Sequence, residues 1–143
     1  MSLGNGPDAE LTGATILIVD DDPCALRVLE RVLEKEGCEV LAETSGWAAL
    51  STVRRYHVDL VLLDLRMPGM DGLEVLKQLV KANRLLPVLM MTGYCHVETA
   101  QEARRLGACD YLAKPLSTRL LRQAVRETLR SSRVGRVSLA GQS

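Results

Sequence analysis

Asp20, Asp21, Asp64, Thr92 and Lys114 each stand at or just past the end of a short apolar run. Together they offer three carboxylates, a hydroxyl and an ammonium, a set suited to a divalent cation and a phosphoryl group. Carboxylate oxygens are ligands for a hard cation, while a hydroxyl and a lysine charge suit phosphoryl oxygens. These residues are far apart in sequence, so a fold must gather the ends of several elements along one edge. An open parallel sheet with helices on both faces does this at the carboxyl ends of its strands.

The apolar pattern supplies such elements. Residues 16–19 are a continuous Ile, Leu and Val run, as a strand buried on both faces requires, and the run stops at a triple Asp. Asp22 followed by Pro23 reads as an N-cap with proline at the first helical position. Ala25, Val28, Leu29 and Val32 then recur at helical spacing until Gly37. Residues 40–42 give a second strand, and Ser45 opens a helix with Ala48, Ala49 and Val53 inward. Residues 58–63 give a third strand ending at Asp64. After the loop 67–70, Asp71 with Glu74 resembles a capping box, and Leu73, Leu76, Leu79 and Val80 mark the inner face of the next helix. Residues 87–91 form a fourth strand ending at Thr92, followed by a fourth helix over 97–106. Tyr111 and Leu112 belong to a fifth strand that closes at Lys114. The fifth helix, from Ser117 to about Arg130, places Leu120, Leu121, Ala124, Val125 and Leu129 on one side. Five strand–helix units in sequence predict an α/β, doubly wound parallel sheet.

The chain's 143 residues suit one domain of ordinary size, and 47% hydrophobic with 25% charged residues is a globular composition. Three segments are expected: a flexible lead over 1–13, a folded domain over 14–130, and a tail or start of a linker over 131–143. Lys+Arg and Asp+Glu both number 18, which argues against a chain built to coat nucleic acid or an anionic membrane. No apolar stretch approaches the roughly 20 residues of a membrane span, and a cytoplasmic location is the expectation. The four cysteines lack C-x-x-C pairing or nearby His at zinc spacing and read as ordinary reduced thiols.

The segments ILIVDDDP, VDLVLLDLRMPGMDG, MMTGY and DYLAKP, in this order, resemble the receiver domain of bacterial two-component response regulators. The resemblance runs from about Thr15 to Arg130. It implies a flavodoxin-like fold with strand order 2-1-3-4-5, one bound Mg²⁺ (or Mn²⁺), and phosphorylation of a single aspartate. By resemblance Asp64 is the phosphoacceptor and itself a metal ligand, Asp21 a direct metal ligand, Asp20 a carboxylate acting through water, and the backbone carbonyl of Arg66 the third protein ligand. Lys114 matches the lysine that contacts the phosphoryl group, joined to Pro115 by a cis bond. Thr92 and Tyr111 match the hydroxyl and aromatic of the family's switch. Arg66 and Tyr94 match positions flanking the acyl phosphate, where bulk would restrict attacking water and lengthen the phosphoryl lifetime. A metal-free acidic cluster should be strained, since like charges ~4 Å apart cost roughly 4 kcal/mol per pair at an effective dielectric near 20.

The implied partners are a sensor histidine kinase or phosphotransfer protein and a second copy docked through the fourth helix, fifth strand and fifth helix (α4-β5-α5). Nucleic acid is implied only through an effector domain that this chain does not contain. Such a receiver catalyses its own phosphorylation and slow dephosphorylation without being a turnover enzyme. Two rival readings are a haloacid-dehalogenase-type phosphohydrolase and a receiver-like module that is never phosphorylated. The hydrolase requires an acid two residues after the nucleophile, and that position is Arg66. Elsewhere, His57 and His96 read as surface histidines without paired carboxylates and Trp47 as packing. Arg119, Arg122, Arg126, Arg130 and Arg133 form a basic stripe on the last helix, solvated or used for docking.

Overall fold

In the computed structural model, which describes residues 9–67, 69, 71–93 and 97–141, strands and helices alternate from β1 to α5. The strands are β1 (Thr15–Val19), β2 (Glu39–Glu43), β3 (Leu60–Asp64), β4 (Val88–Thr92) and β5 (Asp110–Ala113). All four pairings are parallel, and the sheet order is β2-β1-β3-β4-β5. The fold is therefore the expected flavodoxin-like α/β sheet. Its order reverses between β1 and β3, and the carboxyl ends of these two strands flank the crevice that such a reversal opens.

Alternation along the strands feeds two cores. Ile16, Ile18, Leu60, Leu62, Leu89 and Met91 face α1 (Pro23–Lys35) and α5 (Thr118–Gly141). Leu17, Val19, Val61, Leu63, Val88 and Met90 face the layer of α2 (Gly46–Arg55), α3 (Gly72–Ala82) and α4 (Val97–Arg105). Every residue of β3 and β4 is buried, which is why their sequences are continuous apolar runs rather than alternating ones.

The caps form where polar residues precede helical spacing. The Asp22 carboxylate accepts from the Cys24 N–H, Ser45 Oγ from Ala48, and Asp71 from Leu73. Glu74 does not complete a capping box, because its carboxylate accepts from Gln78 Nε2 one turn on.

Several expectations are corrected. β3 starts at Leu60, not at 58, because the Asp59 carboxylate turns back to accept the Thr15 N–H at 2.8 Å. The inner face of α1 is Leu26, Leu29 and Leu33, leaving Val28 60% exposed, and Leu120 is exposed on α5. A helical stripe is wider than the layer it packs on, so its edge positions stay outside. Trp47 is not packing: it is 71% exposed.

The lead is not wholly flexible. Leu11 is fully buried among Leu33, Cys38 and Leu129, the Gly13 N–H donates to the Gly37 carbonyl, and Glu10 forks onto Arg130 at 2.8 Å. Gly37 turns back at φ +87, and a Cβ there would press on Thr12. At the other end, the backbone of α5 stays helical to Gly141, beyond the stop expected near Arg130. No proline interrupts residues 131–141.

Candidate functional site

At the carboxyl edge, β1 passes directly into Asp20 and Asp21 while β3 ends on Asp64. Asp20 is fully buried and Asp64 nearly so, whereas Asp21 is exposed. One oxygen from each of these three carboxylates lies within 4.8 Å of the others. Local backbone holds them. The Asp22 N–H donates to Asp20 Oδ1 at 3.0 Å, and the Arg66 N–H to Asp64 Oδ1 at 3.1 Å. These bonds fix one oxygen of each carboxylate and leave the other, Oδ2, to Lys114.

Lys114 follows β5 and reaches across two strands. Its Nζ donates to Asp20 Oδ2 at 2.7 Å and to Asp64 Oδ2 at 3.3 Å. The bond to Pro115 is cis, as the resemblance implied, and the Lys114 N–H donates to the Thr92 carbonyl at 2.7 Å. Thr92, fully buried at the end of β4, pairs in register with Ala113. Tyr111 is half-buried against the core on the α2-α3-α4 side.

Burial pushes the Asp64 carboxyl above its ordinary range, against the pull of the Arg66 N–H and the Lys114 charge; neighbouring Asp20 adds to the push. For Lys114, burial favours the neutral amine, but the hydrogen bond to Asp20 and the charges of Asp64 and Asp20 together outweigh it and raise the ammonium pKa. The site thus keeps a firmly charged lysine beside a carboxylate that is costly to ionise, and further positive charge would be welcome. Three clustered oxygen donors with two solvent-averse members fit a hard dication. An open depression beside them, lined by Asp21, Leu65, Arg66, Met67 and Asp71, gives a small ligand access.

Comparison with known proteins agrees with this geometry. Residues 16–126 match the family model of the response regulator receiver domain. The chain belongs to this family. The receiver is 40% identical over 114 residues to sporulation initiation phosphotransferase F of Bacillus subtilis strain 168, covering 80% of this chain and 92% of that one. It is 44% identical over 119 residues to the transcriptional regulatory protein ZraR of Klebsiella oxytoca, covering 83% of this chain but only 27% of that protein. A CheY-like receiver domain protein from Methanospirillum hungatei JF-1 superposes with a TM-score of 0.84 at 31% identity, covering 87% of this chain and 99% of that one. Family membership places the receiver in two-component phosphorelay signalling, whose response regulators interact with histidine kinases. Among the described residues, no helix is long and apolar enough to cross a membrane.

The structure gathers Asp20, Asp21, Asp64 and Lys114 into one site, with Thr92 at the adjoining strand end. Asp22 is taken by its capping bond. Arg66 is exposed, its N–H on Asp64. Tyr94 and His96 lie outside the described residues. One sequence reading fails here. His57 does have a carboxylate partner, Asp59 Oδ1 at 2.9 Å, two residues on and easily missed because the pair straddles the entry to β3. Within the basic stripe, half-buried Arg122 and exposed Arg130 keep contact with solvent but are ion-paired, Arg122 with Glu36 at 3.2 Å and Arg130 with Glu10. Their acidic partners lie on the α1–β2 turn and the N-terminal lead, so no spacing within α5 could have announced them. The side chain of Arg133 lies outside the described residues.

Proposed function

We propose that this receiver accepts a phosphoryl group from a sensor histidine kinase or phosphotransfer protein onto Asp64, with Mg²⁺ or Mn²⁺ as the resident cation. The observation that carries this reading is the convergence of Asp20, Asp21 and Asp64 within one ligand's reach, with Lys114 on two of them. The kinship with sporulation initiation phosphotransferase F over nearly its full length supports phosphoryl carriage by a domain of this size.

An Asp64 oxygen attacks phosphorus, the P–N bond to the donor histidine breaks, and its electron pair stays on the imidazole. Asp20, Asp21, Asp64 and the Arg66 carbonyl are the protein groups that would hold the cation. When bound, the cation offsets the repulsion between carboxylate and phosphoryl oxygens. The Arg66 N–H restrains rotation of the Asp64 carboxylate, so the nucleophile is aimed before the donor arrives. Lys114, half-exposed on a flexible stem, can shift from Asp20 and Asp64 toward the new phosphoryl oxygens.

Thr92 would then bond a phosphoryl oxygen, and Tyr111 would turn further inward, altering the α4-β5-α5 surface used for a partner or second copy. With Arg66 in place of a general acid, the receiver is not a turnover hydrolase, and its slow dephosphorylation is tuned by the bulk of Arg66 and Tyr94. It acts in the cytoplasm. The chain spans about a quarter of ZraR's length, and nucleic acid contact belongs to an effector region of such longer proteins rather than to these 143 residues.

Intact mass after incubation with acetyl phosphate and Mg²⁺ tests the reading. One added phosphoryl group is expected, absent from Asp64→Asn and absent without metal. Rapid multi-turnover release of inorganic phosphate would support the hydrolase instead, and an unchanged mass with several donors the unphosphorylated module.

A further inference from the structure

The first residue of α3, Gly72, sits against the turn that leaves the phosphoacceptor strand. Its N–H donates to the Leu65 carbonyl at 3.1 Å. A Cβ built on Gly72 would collide with that carbonyl oxygen and lie 2.7 and 2.8 Å from the Leu65 Cα and C. No side chain is involved, so nothing flexible can move aside. The backbone so contacted is one residue from Asp64 and one residue from Arg66, whose N–H holds Asp64 Oδ1. Leu65 and Met67 are both buried, clamping the turn from the core side. From the side of β4, the Met91 carbonyl accepts the Leu65 N–H at 3.0 Å. The turn is therefore held between β4 and the start of α3, and Gly72 sets the separation on the α3 side. Asp71, capping α3 through Leu73, fixes that first turn and lines the same depression as Asp21 and Arg66.

From this contact we infer that Gly72 is a positioning residue for the acceptor site: its bare Cα lets α3 seat on Leu65 and so sets where Asp64 and the Arg66 backbone present their oxygens to a cation. The inference rests on the proposed phosphoacceptor reading and deepens it. A methyl group at residue 72 must push α3 and the 65–67 turn apart. That displaces ligands supplied by this turn while leaving Asp20 and Asp21, on another strand, in place. Loss should appear in cation affinity before it appears in anything else.

The test uses the full chain and Mg²⁺ titrated by calorimetry, beside thermal melts in EDTA. Gly72→Ala should bind Mg²⁺ roughly 10–100-fold more weakly, the range seen when groups supporting metal ligands are altered. With acetyl phosphate as donor, the Mg²⁺ concentration giving half-maximal rate should rise by that factor, while the rate at saturating Mg²⁺ falls far less. Leu33→Ala, a cavity at the opposite end of α1, controls for instability and should melt lower with Mg²⁺ affinity within about twofold of wild type. A folded Gly72→Ala with wild-type affinity overturns the inference.

Should Gly72→Ala not fold, Asp71→Ala loosens the same turn of α3 without adding an atom. It should weaken Mg²⁺ about tenfold, and Asp71→Ser, which caps without a charge, should restore it. Wild-type affinity in Asp71→Ala, or no rescue by Ser, would count against Gly72 acting through the seating of α3. Wild-type protein that binds no Mg²⁺ and takes no phosphoryl group would bring down the phosphoacceptor reading itself.

Discussion

Lys114 bridges two carboxylates that would otherwise be left facing each other in a buried crevice, and much of the site's behaviour follows from that. Without the ammonium, Asp20 and Asp64 lose their charged partner in a poorly solvated place. Lys114→Ala should therefore lower metal-free stability by about 1–3 kcal/mol in urea unfolding, with saturating Mg²⁺ recovering part of the loss. It should still accept phosphoryl from acetyl phosphate yet fail to switch, which binding of a partner to the phosphorylated form would reveal. Asp64 has the opposite sign. The pKa of its carboxyl is raised by burial, so in the metal-free protein the native state keeps the Asp64 proton to higher pH than the unfolded chain does. Its contribution to stability is therefore better at low pH and worsens as pH climbs from the ordinary Asp range through the raised value. Asp64→Asn should unfold at higher urea than wild type at pH 7 in EDTA, with the gap closing as the pH is lowered through that window. A constant gap would mean that ionisation of Asp64 is not its origin.

At the scale of elements, the N-terminal lead and α5 are one assembly. Leu11 fills a place between α1 and α5 that no strand or helix supplies, while the Glu10–Arg130 fork lies at the surface. Burial and exposure predict very different costs. Leu11→Ala should destabilise by roughly 2–5 kcal/mol, the cost of an unfilled core cavity, and Glu10→Gln by less than about 1 kcal/mol, with that small loss screened by salt. Denaturant titrations of both variants decide the point. Trp47, standing in solvent on α2, should be replaceable by Ala within about 0.5 kcal/mol. A larger loss would show that it packs after all.

For the molecule as a whole, the reversal of strand order places the acidic cluster in a ready-made crevice, and a cation there stabilises only the folded chain. Mg²⁺ at a hundred times its dissociation constant should add about 2.7 kcal/mol, and EDTA should reverse the gain. A melting temperature indifferent to Mg²⁺ would deny the site. Arg122 and Arg130 of α5 are engaged by Glu36 and Glu10, which ties those two members of the arginine stripe to the α1 and N-terminal side of the fold.

The order of elements and the residues that meet at the carboxyl edge were largely legible in the sequence because each depends on local chemistry. A β-branched or Leu run closing on Asp, Asp22 before Pro23, and Ser45 before a helical stripe all declare themselves within a few residues, and the motif order marked Asp20, Asp64, Thr92 and Lys114 as residues to be brought to one edge. Contacts between distant surfaces were decided only in three dimensions. Nothing near Leu11 shows that α5 will cover it, nothing near Arg130 shows that Glu10 will meet it, and the edges of the α1 stripe cannot reveal that Val28 stays in water. Gly72 is the same case at the site itself, since its missing side chain matters only because α3 returns against the carbonyl of Leu65. Periodicity and capping act over a turn of chain, whereas packing and ion pairing act over distances that only the folded backbone sets.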